Sequence, residues 1–488
     1  MHAGMFDLMS FLKGKRMKNS HDQAPLSQDI SGLYSEHLNR LLAQCAEFMP
    51  RLGADCLVIS SGGADYFFED DQAKPFRSTG TFAYFCPLEG PYHLIKIEPG
   101  KKPVLIRYAP VDFWHAQDPF PPIGKDGATL DWVTHFEIRS AADVASSYRE
   151  LGTLPANTVF VGQDTRFAQT LGLVCNPHLL SSQFAWLRSF KSSYEIHCLA
   201  VANSIAVLGH RAAHQSFLNG GSEFDIYQSY LAATSQTESE MPYGAIIGVG
   251  NHASILHYQK KDRQRASVGS DVLLIDAGAR FNQYGSDITR TYVAPLKGAR
   301  DQSSTNPHTV FCELVAKVEA AQQAICQSVR PLGSFALLHR MMHVEVAKIL
   351  LGCGIIKSGI DPQDDLAAQI VVHFVPHGIG HLLGIFVHDV AGFIASPMGE
   401  PITKVTKIPY LRSYRSLESG MVLTVEPGIY FIDSLLQKLK DNAALSGSID
   451  WNLVTSLVPF GGVRIEDDVV VTQNGHRNLT REAFARLD

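Results

Sequence analysis

Residues 273–292 read LLIDAGARFNQYGSDITRTY, and what this stretch forms decides the fold of everything after it. Two apolar, strand-like runs are joined by a turn containing Asn and Gly, which predicts a hairpin with Asp276 and Asp287 on neighbouring strands. Two carboxylates then face one spot. Working outward, HGIGHLLGIFVHD (377–389) supplies His377, His381 and His388, TVEPGIYF (424–431) supplies Glu426, and GGVRIEDDVVV (461–471) supplies Glu466. Each is an acidic or imidazole side chain among Val, Ile, Leu and Gly, in runs that otherwise read as buried strand or tight turn.

Four carboxylates in one pocket need counter-charge. Two like charges about 4 Å apart repel by roughly 4 kcal/mol at an effective dielectric near 20, and two divalent cations cancel all four. Asp276, Asp287, Glu426 and Glu466 with the imidazole of His381 form a hard, oxygen-rich donor set. Such a set suits Mn, Co or Fe better than the thiolate-rich sites that select structural zinc. A hydroxide shared by the pair is then the expected nucleophile.

The 488 residues, 45% of them hydrophobic, are enough for two domains. A net charge of −6 with dispersed Lys and Arg argues against a nucleic-acid surface. Eight cysteines (45, 56, 86, 175, 198, 312, 326 and 353) are scattered without a CxxC pair, which predicts free thiols in a reducing cytoplasm. No run of about 18 apolar residues predicts a membrane span. Residues 1–30 have their basic cluster (Lys13, Lys15, Arg16, Lys18) after the short apolar run, the reverse of a secretory signal. They are expected to be a disordered or weakly helical extension, with Met17 as a second possible start.

Residues 31–186 mix helix and strand: helical spacing over Tyr34–Phe48, then ADCLVISSG, HLIKIEP, KPVLIRY and NTVFVGQD as strands. This predicts an α/β N-terminal domain. Residues 187–488 begin with a long helix, about Ser193 to Leu218, stopped at Gly220 and Gly221, with Ser222 as the next N-cap. Helices at about 308–329 and 335–351 follow, and the remainder reads as strand and loop. His339 and His343 form an i, i+4 pair, but no acidic third ligand accompanies them; packing and hydrogen bonding are expected.

In combination, the D-x10-D pair, HGIGH with a downstream HD, VEPG and the closing RIED resemble the signature of the pita-bread metallopeptidases. Within them, YAPVDFWH (108–115), PYGAII, ILHY, FIDSLL (431–436) and PFGGVRIED resemble the bacterial prolidase branch, whose members are also known as organophosphorus acid anhydrolases. The resemblance runs from about Ser31 to the C-terminus. It implies an α+β pita-bread catalytic domain, a homodimer and two Mn2+ ions per subunit, with Asp287 and Glu466 bridging them. It also implies catalytic roles for Glu426, His257, His377, His388 and Arg464. The chain departs from the pattern at Leu382, where relatives often have a third His, and in HDVAGF for HDVGGF.

The implied activity is hydrolysis of Xaa-Pro dipeptides by the shared hydroxide, with Glu426 relaying the proton and His388 and His377 donating to the oxyanion. Arg415 is expected to clamp the proline carboxylate, with Arg412 as a nearby alternative. Asp71, supplied across the dimer, is expected to meet the substrate ammonium, and Tyr243 and Tyr292 to wall the pocket. Organophosphate hydrolysis is a promiscuous extension. An aminopeptidase P and a non-catalytic peptide-binding pita-bread protein are the alternatives. Strand parity places Arg464 and Glu466 on one face, with the guanidinium holding that carboxylate and Asp467 pointing away. It also aligns Asp287, Thr289 and Thr291, making Thr289 a hydrogen-bond candidate. A turn-to-strand reading of HGIGH puts His377 and His381 on one side, each beside a glycine that lets backbone and metal approach.

Overall fold

The computed structural model describes residues 30–114, 120, 131–265, 271–295, 306–403 and 408–487. The expectation for the extension before residue 30 therefore lies outside the described residues.

The N-terminal half is built on a mixed sheet of order β4-β3-β2-β1-β5-β6. Its strands are β1 (Cys56–Ser60), β2 (Leu94–Ile97), β3 (Val104–Tyr108), β4 (Glu137–Ala141), β5 (Thr158–Val161) and β6 (Val174–Cys175). The unbroken apolar run of β1 is explained by burial on both faces. Leu57 and Ile59 pack with Tyr34, Leu38 and Phe48 of the helix Ile30–Arg51, whereas Cys56 and Val58 pack with Leu151, Phe160 and Ala168.

The second half opens with the helix Ser193–Leu218, started by a Ser192/Glu195 capping box, and then Glu223–Thr234, started by Ser222 and Asp225 as the sequence implied. Strands β7 (Ile246–Val249), β8 (Val272–Asp276) and β11 (Thr289–Val293) form an antiparallel sheet of order β11-β8-β7. Along β8, Leu273 and Ile275 face Ala213, Phe217 and Tyr230 of the two helices. By parity Asp276 shares the opposite face with Leu274. Strands β12 (Val422–Val425), β15 (Asp467–Val471) and β16 (His476–Asn478) form a second sheet, and β13 (Gly428–Tyr430) pairs with β14 (Gly462–Arg464). A bridge between Thr289 and Glu466 joins the two. Helices Pro307–Gln327 and Phe335–Gly352 cover the far side through Phe311, Leu314, Leu338 and Met342, against Val425, Ile465 and Val469. The α+β expectation stands.

Three details differ from the sequence reading. The turn between Asp276 and Asp287 is not simple: a two-stranded projection, β9 (Arg280–Phe281) and β10 (Tyr284–Gly285), intervenes, with Asn282 and Gln283 at positive φ at its tip. HGIGH does not enter a regular strand; residues 379–383 lie beside β12 through Leu383 N–H to Val422 O (2.9 Å) and Thr424 N–H to His381 O (2.9 Å). The C-terminal part holds helices at Asp365–Val371, Asp433–Asp441, Trp451–Leu457 and Leu479–Leu487 where strand and loop were expected. These segments are short, and the apolar strand-like runs in the same region masked them.

Candidate metal centre

Backbone pairing brings the five donors together. Asp276 ends β8 in register with Thr289, and the ladder continues as Ala277 N–H donates to Ile288 O (3.0 Å), so Asp287 arrives just ahead of β11. Glu466, between β14 and β15, donates its N–H to Thr289 O (3.0 Å), and Glu426, just after β12, donates its own to Ile379 O (2.9 Å). Gly380, at φ 155°, is what lets the His381 segment close on β12: a Cβ there would lie 2.1 Å from Thr424 O. The glycine serves a backbone-to-backbone approach to β12, a correction to the expected approach of backbone to metal.

Donor atoms of Asp287, His381 and Glu466 all lie within 4.8 Å of one another. His381 Nε2 is 3.4 Å from Asp287 Oδ2 and 3.9 Å from Glu426 Oε1. Nδ1–H of His381 donates to Leu382 O (3.2 Å), which leaves the Nε2 lone pair facing the carboxylates. Asp276 accepts from Arg464 Nη2 (2.5 Å) and the Tyr243 hydroxyl (2.7 Å). Burial, then the neighbouring carboxylates, raises Glu466 well above the usual range, and burial also raises Asp287, against the hydrogen bond to His381. Burial carries Glu426 up to about 7 against the opposing pull of His381 and Arg464. Buried carboxylates so crowded fit two hard divalent cations, and the neutral imidazole suits the same ions.

Arg464 holds a different carboxylate from the one parity suggested. Its guanidinium reaches Asp276 directly and Glu466 only through Thr289: Nε–H donates to Thr289 Oγ1 (3.1 Å), whose hydroxyl donates to Glu466 Oε2 (2.7 Å). The bridge between Thr289 and Glu466 explains this, because it sets the threonine between the two. Asp467 points away, as expected, into a buried group with Arg290 (2.7 Å), Arg481 (2.7 Å) and Asn478 (2.8 Å). Burial would raise its carboxyl, but the two guanidiniums hold it at about 2.

A cavity of 620 Å³ is lined by all five donors together with Tyr243, His257, His377, His388, Arg412 and Arg464. His388 stands edge-on to His381 with ring centres 4.4 Å apart, and burial lowers it to about 3. His377, lowered by burial to about 4, donates Nδ1–H to Gly378 O (2.7 Å) and accepts at Nε2 from the Tyr430 hydroxyl (2.8 Å), which itself accepts from Arg464 (3.0 Å). Tyr430 was not singled out from the sequence, although its place four residues after Glu426 on β13 was a usable signal.

Two substrate-contact expectations are corrected, at Arg415 and Tyr292. Arg415 does not line the cavity: it is buried, donates to Ser189 Oγ (2.8 Å) and Glu418 (2.7 Å), and lies 3.8 Å over the Trp186 ring. Arg412, the alternative, lines it instead. Tyr292 does not wall the cavity either, because alternation along β11 turns it from the Asp287 face to stack on His214 (3.9 Å). Asp71 is exposed, on a loop with Tyr66, Phe67 and Phe68, and away from this chain's own cavity. His339 and His343 pack together with ring centres 4.4 Å apart, but His339 Nδ1 and His343 Nε2 lack the hydrogen-bond partners expected for them.

The model of metallopeptidase family M24 matches residues 197–473, which contain every donor of the centre. The chain belongs to metallopeptidase family M24. In this M24 protein, residues 32–186 also match the model described as Xaa-Pro dipeptidase, N-terminal domain. It is 39% identical over 463 residues to the Xaa-Pro dipeptidase of Stenotrophomonas maltophilia, covering 94% of this chain and 99% of that one. It is 40% identical over 459 residues to that of Xanthomonas campestris, covering 93% and 98%. Among solved structures, aminopeptidase P from E. coli with the inhibitor Pro-Leu is similar in fold (TM-score 0.66, 22% identity, 93% of this chain and 98% of that chain). The Pseudomonas aeruginosa aminopeptidase PepP is likewise similar (TM-score 0.64, 23% identity, 94% and 98%).

Proposed function

We propose that this M24 metallopeptidase is a cytoplasmic Xaa-Pro dipeptidase, a homodimer that works with two manganese ions per subunit. The observation that carries the reading is a single 620 Å³ space holding four buried donors, a partly buried fifth (Glu426) and one exposed guanidinium, Arg412. That size suits a small ligand, and a guanidinium suits a free α-carboxylate held bidentately. The dipeptidase names of relatives about 40% identical over almost the whole chain point the same way.

Asp276, Asp287, His381, Glu426 and Glu466 would hold the ions, which when bound supply a nucleophilic hydroxide at neutral pH and polarise the scissile carbonyl. The chain's own residues do the rest. Glu426 takes the proton from the attacking water and delivers it to the departing proline nitrogen. His388 donates to the oxygen that gains charge, while His377, its Nδ1–H spent on Gly378 O, is held beside it by the Tyr430 hydroxyl, and Arg464 fixes the Asp276 carboxylate. Tyr243, donating to Asp276, shapes the wall beside them. We place the domain division at 31–186 and 187–488, with Asp71 reaching the substrate ammonium of the partner subunit. The exposed Phe68, Phe113 and Trp114 support a surface of that kind.

The test is turnover of Ala-Pro against Ala-Pro-Ala by protein stripped of metal and reloaded with manganese. Cleavage of the dipeptide alone supports the reading. Preference for the tripeptide moves it to an aminopeptidase P, and cleavage of neither overturns it.

A further inference from the structure

Outside the metal centre, Glu223, His252 and Asp262 form a second group with donor atoms within 4.8 Å of one another. Its hydrogen bonds show what it does. Glu223, 3% exposed at the start of the helix Glu223–Thr234, accepts four hydrogen bonds from one stretch of chain. Oε1 takes Val249 N–H (2.9 Å) and His252 Nδ1–H (2.8 Å); Oε2 takes the Tyr258 hydroxyl (2.7 Å) and Asp262 N–H (2.7 Å). An ionised carboxylate offers about four lone-pair positions, so this one is saturated and keeps none for a cation. Asp262 O accepts in turn from Phe224 N–H (3.1 Å), and the His252 ring stacks on Tyr258 at 4.5 Å.

The clamped stretch, 249–262, carries Leu256, His257 and Gln259 on the cavity wall. His257 is exposed there and precedes the pinned Tyr258. We propose that Glu223 is a positioning residue for His257, holding the loop from four points so that the imidazole stands where the substrate lies. The inference rests on the dipeptidase reading for its kinetic expression and on the loop geometry for its physical one.

Glu223→Gln isolates the effect. Whichever way the amide is turned, its NH2 meets a backbone N–H, at Val249 or at Asp262, and no rotation or tautomer of those donors relieves the conflict. With the manganese-loaded full chain and Ala-Pro, Glu223→Gln is expected to lower kcat/KM about tenfold, and Tyr258→Phe, which removes one donor and leaves the carboxylate ionised, about threefold. Neither should lower it further in a His257→Ala background. Losses that multiply in the double variants, or unaltered kcat/KM in both single variants, overturn the proposal. Hydrogen–deuterium exchange gives an activity-independent readout: faster exchange confined to peptides of 249–262 in Glu223→Gln supports it, and unchanged exchange there overturns it even if the chain cleaves a different substrate.

Discussion

At the scale of single residues, the same side-chain type does opposite jobs according to its neighbours. Arg412 lines the cavity, whereas Arg415, three residues on, is consumed by Ser189, Glu418 and Trp186. Arg412→Ala is therefore expected to raise KM for Ala-Pro by tenfold or more with kcat little changed. Arg415→Ala should leave KM near wild type and lower Tm, which Michaelis kinetics beside thermal unfolding will separate. Asp287→Ala should lose bound manganese and turnover together; full metal content with normal kcat would remove Asp287 from the site. His93 gives a pH signature far from the metal. Buried, with Nδ1 accepting from Tyr108 N–H (3.0 Å), it is lowered by burial to about 4. A depressed imidazole contributes stability above its unfolded value near 6.5, lost as pH falls toward 4. Between pH 7 and 5 the loss is about 2 kcal/mol, and urea titrations should show it shrinking in His93→Asn.

At the scale of elements, His388 is fixed by the residue after it. Asp389 accepts from Arg188 Nη2 (2.5 Å) and Lys191 Nζ (3.2 Å), all three side chains under 8% exposed. The two cations lie just before the helix Ser193–Leu218, so this triad ties the cavity wall to the junction between the two halves. Asp389→Asn leaves two buried cations without their carboxylate. It should cost roughly 3–5 kcal/mol in equilibrium unfolding, whereas replacing all three by apolar residues of similar volume should cost far less. The HD spacing was visible in the sequence, but neither partner of Asp389 was, because they lie about 200 residues away. Glu223 was equally hidden: it reads as an ordinary first-turn acid, and only the fold brings four donors to it.

At the scale of the whole molecule, one apolar cluster joins the halves: Tyr34, Leu38 and Phe184 pack with Tyr194, Tyr284, Leu383 and Val422. The N-terminal sheet is thus built onto the floor of the catalytic half. The aromatic surface of Tyr66, Phe67 and Phe68 (91% exposed at Phe68), with Phe113 and Trp114, is left uncovered in one chain. Phe68→Asp is expected to shift the protein from dimer to monomer in sedimentation velocity and to lower Ala-Pro turnover at low protein concentration; an unshifted sedimentation coefficient counts against that surface.

The sequence by itself determined the donor set and the long elements. The five donors stand in motifs whose local demands, such as a glycine at φ 155° beside a strand carbonyl, are written within a few residues. The helix Ser193–Leu218 carries its own capping box and glycine stop, and β1 carries its two-sided burial in an unbroken apolar run. Tertiary structure decided which polar side chains point into the cavity. The exchange of Arg412 for Arg415, the turning of Tyr292 onto His214, and the routing of Arg464 to Glu466 through Thr289 all depend on contacts between segments far apart in the chain. A period or a motif records local geometry; it does not record which distant partner has already used a guanidinium's donors.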